Sequence, residues 1–110
     1  MSADQPPIFV KTCGLRSAGI AEAAIAAGAD AIGIMLAPSK RQISLEDAIA
    51  LRGALANTHA HLPLFVAVTV NPTDNAIRQI AASEVFDAIQ LSGDEDRVIT
   101  ARIPESLLVW

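Results

Sequence analysis

Three apolar runs constrain this chain more than any other feature. "ADAIGIML" (Ala29 to Leu36), "LFVAVTV" (Leu64 to Val70) and "FDAIQL" (Phe86 to Leu91) are nearly continuous in apolar residues. Strands that are polar on one face alternate; strands buried on both faces do not. Continuous runs of this length therefore predict strands inside a parallel sheet. Parallel neighbours need a crossover, and the intervening stretches supply one each. Ser17 is placed to cap a helix over "AGIAEAAIAAG", with Ile20, Ala24 and Ala27 at helical spacing and Gly28 as its stop. Ser44 caps a second helix, with Asp47 three residues on and an apolar stripe of Leu45, Ala48, Ile49 and Leu55. Thr73 caps a third, carrying Ile77, Ile80 and Ala81. "IFVKT" (Ile8 to Thr12) reads as an earlier short strand, "SGDED" as a loop opening a short helix, and "LLVW" as the start of a last strand.

The predicted order is β-α-β-α-β-α-β-α-β, which belongs to closed α/β barrels or open doubly wound sheets. A (β/α)8 barrel takes ~250 residues, and this chain has 110. Four βα units and part of a fifth strand are expected, the first half of such a barrel. Residues 1–7 form a polar, proline-containing lead-in and residues 8–110 one partial barrel. The Asp-Ala-Ile triplet occurs twice, at Asp30 and Asp87, each time where a helix hands over to a strand. Three residues are a short echo, which chance also produces.

Charge and cysteine content narrow the function classes. A net charge of −4 gives no support for nucleic-acid binding, which wants a basic surface. The single cysteine makes no internal disulfide, and a reducing, cytoplasmic setting is the simpler expectation. "MSADQPPIF" lacks a basic and an apolar signal region, and no apolar run is long enough to span a membrane. "HAH" at His59 to His61 has no third ligand at suitable spacing, so no metal is expected.

In parallel α/β folds functional groups collect at the C-terminal ends of the strands. That rule selects few groups. Cys13 ends the first strand. Alternation puts it on one face with Lys11 and Phe9, so a lysine cation near the thiol would favour the thiolate, the form that acts as base or nucleophile. A lone cysteine is equally at home as a small inert hydrophobe. Lys11 in an apolar strand is either paired and used or an edge charge facing water. Arg41, beside Lys40 after the second strand, either grips an anion by two points or sits in a solvated basic loop. Gln90 in the fourth strand needs partners, in a site or in the core. Asp94 and Glu95 suit the first turn of the helix that follows.

Four segments, in order, resemble one family. "VKTCGL", "AGADAIGIMLAPSKRQIS", "FVAVTVNPT" and "FDAIQLSGDE" are similar to the first four strand-and-loop motifs of phosphoribosylanthranilate isomerase, from Ile8 onward. The resemblance implies a (β/α)8 barrel of tryptophan biosynthesis. It implies an intramolecular oxidoreductase, an aldose-ketose isomerase that carries out an Amadori rearrangement without a cofactor on a small phosphorylated substrate. It assigns Cys13 as the general base and Arg41, with Lys11 and Gln90, to substrate binding. The chain departs from the family at Ser92, where His is common. The family's general acid and its phosphate loops follow later strands, beyond Trp110. The alternative is a non-catalytic half barrel that self-associates through open sheet edges or pairs with a second chain.

Overall fold

The computed structural model describes residues 9–95 and 97–109, with only the backbone of residues 97 and 98. The lead-in expected over residues 1–7, Ile8 and Trp110 lie outside the described residues. Nine elements alternate: β1 (Lys11–Cys13), α1 (Ala18–Ala26), β2 (Ala31–Met35), α2 (Leu45–Ala56), β3 (Leu64–Thr69), α3 (Asp74–Ala82), β4 (Ala88–Leu91), α4 (Arg97–Ala101) and β5 (Leu108–Val109). The sheet order is β1-β2-β3-β4-β5, and every pair is parallel.

This order decides between the two architectures the alternation allowed. A doubly wound sheet reverses direction at a switch point; here each strand lies beside its sequence neighbour. Right-handed crossovers then place every helix on the same face, as in a barrel. The packing agrees. Ile32 and Ile34 of β2, Phe65 and Ala67 of β3 and Ile89 of β4 form one core with Ala21 of α1, Ala48, Leu51 and Leu55 of α2, and Ile77 and Ile80 of α3. Their alternate neighbours, Ala31, Val66, Val68 and Ala88, form a second buried cluster with Met35 and Leu64 on the opposite, inner face. The fold is therefore a partial (β/α)8 barrel that is not closed. Within the described sheet β1 and β5 each have one strand neighbour. Among the described residues no helix is long and apolar enough to cross a membrane.

All three predicted caps form. The side-chain oxygens of Ser17, Ser44 and Thr73 accept from the backbone N–H groups of Ile20, Asp47 and Ala76 at 3.3, 3.0 and 3.1 Å. Helix α1 stops at Gly28, whose φ is +92°. There Ala29 N–H bonds Ala24 O and Gly28 N–H bonds Ile25 O, the paired closure that a left-handed residue makes possible.

Three expectations are corrected. Strand β1 begins at Lys11, with Phe9 and Val10 outside it, although the apolar run reads as strand from Ile8; it ends at Cys13, opposite Gly33. Helix α1 buries Ala21, with Ala18, Ala24 and Ile25 partly covered, while Ile20 and Ala27 are exposed. In a run this rich in alanine the apolar residues surround the axis, and spacing alone does not choose a face. Helix α2 buries Leu51 and leaves Ile49 exposed. The longer side chain at Leu51 falls on the stripe Ala48–Leu51–Leu55 that meets the sheet, and Ile49 falls one residue beside it.

Candidate active site

Register fixes which side chains face inward. Cys13 pairs with Gly33, Gly33 with Val66 and Val66 with Ala88, so these four share the inner face. Lys11 pairs with Ala31, and Gln90 with Val68, on that same face. The Lys11 ammonium donates to Gln90 Oε1. Two strands separate β1 from β4, so in a flat sheet they would lie about 14 Å apart at ~4.8 Å per strand. The contact requires a concave inner face floored by small residues, and Ala31, Gly33 and Ala88 are such residues. Lys11 is thus turned across the barrel interior and does not stand as an edge charge.

Cys13 is exposed at the C-terminal mouth of the sheet. Its sulfur occupies the space a side chain at Gly33 would need: a Cβ there would fall 2.7 Å from Sγ. Glycine inside a strand marks such a close approach, and that signal was present in the sequence. The next residue, Gly14, has φ +79° and donates to Gly33 O at 3.0 Å. A Cβ at Gly14 would meet Arg41 Cδ at 2.5 Å. The Arg41 side chain therefore lies against the chain immediately after Cys13. Cys13, Gly14, Met35, Ser39, Lys40 and Arg41 line one pocket of about 260 Å³. A similar cavity of about 280 Å³ lies between the loops after β2 and β3 and includes neither Cys13 nor any charged residue. The thiol and the cations that could serve chemistry are in the first.

The loop carrying Lys40 and Arg41 is pinned at several points. Arg16 Nη1 donates to Lys40 O at 3.1 Å, Arg41 N–H to Ser39 Oγ at 3.1 Å, and Ile43 N–H to Met35 O at 2.9 Å. Arg16 escaped the sequence reading, because a single arginine after a strand gives no indication of a carbonyl across the face.

Gln90 meets both of its amide needs. Its Oε1 accepts from Lys11 and its Nε2 donates to Ser92 Oγ at 3.0 Å. Glu95 takes a different part from the one expected. Helix α4 begins at Arg97, so Asp94 and Glu95 precede its first turn. The Glu95 carboxylate instead accepts from Asn71 N–H at 2.8 Å and Gly93 N–H at 2.7 Å, tying the loop after β3 to the loop after β4. Partial desolvation raises its pKa, but backbone hydrogen bonds at Glu95, Asn71 and Gly93 together outweigh this and hold the carboxyl below its ordinary range. Asn71, at φ +45°, closes the tie by accepting from Asp94 N–H at 3.0 Å. His59 and His61 stay in the connection between α2 and β3, and among the described residues no group of three or more His, Cys, Asp or Glu could hold a metal.

A family profile described as N-(5'phosphoribosyl)anthranilate (PRA) isomerase matches residues 10–110. The chain belongs to this family. An N-(5'-phosphoribosyl)anthranilate isomerase of Roseiflexus castenholzii is 42% identical over 105 residues, which are 93% of this chain and 49% of that protein. One of a further Roseiflexus species is 38% identical with the same coverage. Among solved structures, the phosphoribosylanthranilate isomerase of Thermotoga maritima superposes with a TM-score of 0.83 at 33% identity, over 94% of this chain and 49% of that one. A phosphoribosylanthranilate isomerase in complex with reduced 1-(o-carboxyphenylamino)-1-deoxyribulose 5-phosphate gives 0.82 at 33% identity, over 94% and 52%. The chain thus spans about half the length of the relatives it matches.

Proposed function

We propose that this chain supplies the base side of a phosphoribosylanthranilate isomerase site. The reaction converts N-(5-phosphoribosyl)anthranilate to 1-(2-carboxyphenylamino)-1-deoxyribulose 5-phosphate by an Amadori rearrangement, and it needs a base and an acid on two sides of one substrate. Cys13 takes the proton from C2 of the ring-opened aminoaldose. Arg41 holds the anthranilate carboxylate, for which a guanidinium offers a two-point contact. Lys11 and Gln90 form the polar floor beneath. The observation that carries this reading is the joint placement of Cys13 and Arg41 in one pocket, with Gly33 and Gly14 leaving room for them. Family membership supports it. The acid and the phosphate grip that the reaction also needs are, on the family resemblance, expected to follow later strands.

Joining residues 1–110 to the second half of the Roseiflexus castenholzii relative tests the proposal. The chimera should turn over phosphoribosylanthranilate, and Cys13→Ala should lower kcat at least about a hundredfold, the usual contribution of a positioned base. Residues 1–110 alone should give none. Turnover by the isolated chain, or a chimera indifferent to Cys13→Ala, would overturn it.

Within the described sheet the outer sides of β1 and β5 have no strand neighbour, and this favours a second reading, a non-catalytic half barrel that associates through these edges. Phe9 and Val10 near one edge and Leu108 and Val109 at the other are exposed apolar residues. Light scattering across a dilution series should then show mass falling toward the 11.5 kDa monomer. A concentration-independent compact monomer would remove this reading.

A further inference from the structure

The peptide unit that joins Lys40 to Arg41 has both of its polar groups held. Its carbonyl, Lys40 O, accepts from Arg16 Nη1 at 3.1 Å, and its N–H, on Arg41, donates to Ser39 Oγ at 3.1 Å. A peptide unit is planar, so holding both groups fixes the plane in which Arg41 Cα lies. The Arg41 side chain then runs over Gly14, where a Cβ would fall 2.5 Å from its Cδ and 3.1 Å from its Nη1. One short stretch after β1 thus receives Arg41 twice: Gly14 leaves room for its stem, and Arg16 holds the carbonyl before it. That stretch is itself anchored. Gly14 N–H bonds Gly33 O at 3.0 Å, Leu15 is buried in the core, and Ser17 caps α1. The other hydrogen bonds of residues 38–43 are local. Gln42 N–H bonds Ser39 O at 3.2 Å, Gln42 Nε2 bonds Leu36 O at 3.3 Å and Ile43 N–H bonds Met35 O at 2.9 Å. Among the described residues, Arg16 supplies the one hydrogen bond that ties this loop to the loop of another strand.

We propose that Arg16 is a positioning residue for Arg41: it holds the loop after β2 against the loop after β1, so that Arg41 stands ready at the pocket it shares with Cys13. Lys40 and Arg41 line that pocket and Arg16 does not, so Arg16 acts through the peptide it holds. A two-point grip on a carboxylate needs the guanidinium plane aligned with its partner. Arginine has a long side chain with many rotamers, and ordering it on binding costs affinity. Fixing its backbone and stem beforehand removes part of that cost. Arginine also suits the anchor, because its guanidinium is always protonated and the bond to Lys40 O persists at any working pH. All three side chains are exposed, and water competes for the bond, so the expected effect is several-fold and not larger. The inference rests on the reading of Arg41 as the group that holds the anthranilate carboxylate for its catalytic meaning, while the loop tie is tested without substrate.

Limited trypsin digestion of the 110-residue chain reads the tie. Trypsin cuts after lysine and arginine where the backbone opens. Cleavage after Lys40 and Arg41 reports on the loop, and cleavage after Arg52 and Arg102 on the rest of the fold. Arg16→Met keeps an apolar stem and loses the donor. It should speed cleavage after Lys40 and Arg41 about threefold to tenfold, the equivalent of one net hydrogen bond, and leave Arg52 and Arg102 unchanged. Equal acceleration at all four sites, or none at Lys40 and Arg41, would overturn the proposal. In the chimera with the Roseiflexus castenholzii half, the same variant should raise KM about threefold to tenfold with kcat little changed, because a carboxylate grip is made alike in the ground and transition states. On top of Arg41→Ala it should add nothing. The rise in KM should persist at about 0.5 M salt, where charge acting at a distance is screened. A rise that vanishes in salt, or that adds in full to that of Arg41→Ala, would also overturn it. A chimera indifferent to Arg41→Ala would instead remove the substrate-binding reading of Arg41, and the trypsin comparison would still decide the tie.

Discussion

Asp30 and Asp87 make the same set of hydrogen bonds at two places in the chain. The Asp30 carboxylate accepts from Val10 N–H at 2.8 Å, its own N–H donates to Val10 O at 2.7 Å, and its carbonyl accepts from Leu64 N–H at 3.0 Å. The Asp87 carboxylate accepts from Phe65 N–H at 2.9 Å, its N–H donates to Phe65 O at 2.8 Å, and its carbonyl accepts from Leu108 N–H at 3.1 Å. Each aspartate sits before an even-numbered strand and clamps it to the strand on either side. The repeated Asp-Ala-Ile is therefore a repeated piece of structure: the aspartate closes the ladder, and the alanine and isoleucine face the inner and outer clusters in turn.

The two clamps differ in surroundings, and a stability difference follows. Phe65 is fully buried, whereas Val10 is 46% exposed, so water can replace the Asp30 carboxylate but not the Asp87 one. Asp87 also faces Arg52 Nη1 at 3.5 Å, a half-exposed pair that adds little on its own. Asp87→Ala should cost about 2–3 kcal/mol, the range for losing a hydrogen bond to a charged group, and Asp30→Ala about 1 kcal/mol. Urea unfolding of both variants measures this, and a larger loss for Asp30→Ala would refute the argument.

Close contact between Cys13 and Gly33 gives a second expectation. Gly33→Ala places a methyl 2.7 Å from Sγ and 3.3 Å from both Cα and Cβ of Cys13. The thiol must move, and overpacking of this kind costs about 1–3 kcal/mol. In a Cys13→Ala background the shortest contact is gone and most of that loss should vanish. A double-mutant cycle reads the coupling directly; additive losses would mean that the sulfur does not fill the space above Gly33.

Gly14 separates two physical causes within one residue. Its φ of +79° disfavours any side chain, and a Cβ would also strike Arg41 Cδ at 2.5 Å. Gly14→Ala should destabilise the chain by at least about 1 kcal/mol. Repeating it in an Arg41→Ala background should recover only the part due to contact. Full recovery would show that the backbone at position 14 is unstrained.

How far the sequence reached depended on whether a signal was local. The caps at Ser17, Ser44 and Thr73 were legible because a cap is set within three residues. The strands were legible because burial on both faces leaves no polar gaps. The face of α1 was not, since alanine on every side gives the pattern no contrast; Ile49 and Leu51 compete on α2 for the same reason. In the site, Cys13 and Arg41 could be picked out from strand ends; Gly33 was not singled out, although a glycine within an apolar strand is a local signal of close approach. The bond from Lys11 to Gln90 and the tie from Glu95 to Asn71 join strands and loops distant in sequence. No pattern along the chain announces such pairs.

The Glu95 tie carries a pH dependence whose sign is fixed. Its carboxyl has a lower pKa folded than its ordinary value of 4.5, so the folded chain binds fewer protons there than the unfolded one. Its contribution to stability is therefore fully present above about pH 4.5 and is lost as pH falls through the lowered folded value. Glu95→Gln keeps one acceptor oxygen but cannot serve Asn71 and Gly93 through two. At pH 7 the variant should unfold at lower urea than the parent chain. As pH falls through the lowered folded value the two midpoints should converge, because protonation removes from the parent what the substitution removes from the variant. A gap that stays constant over this range would mean that the charge on Glu95 does not hold the two loops together.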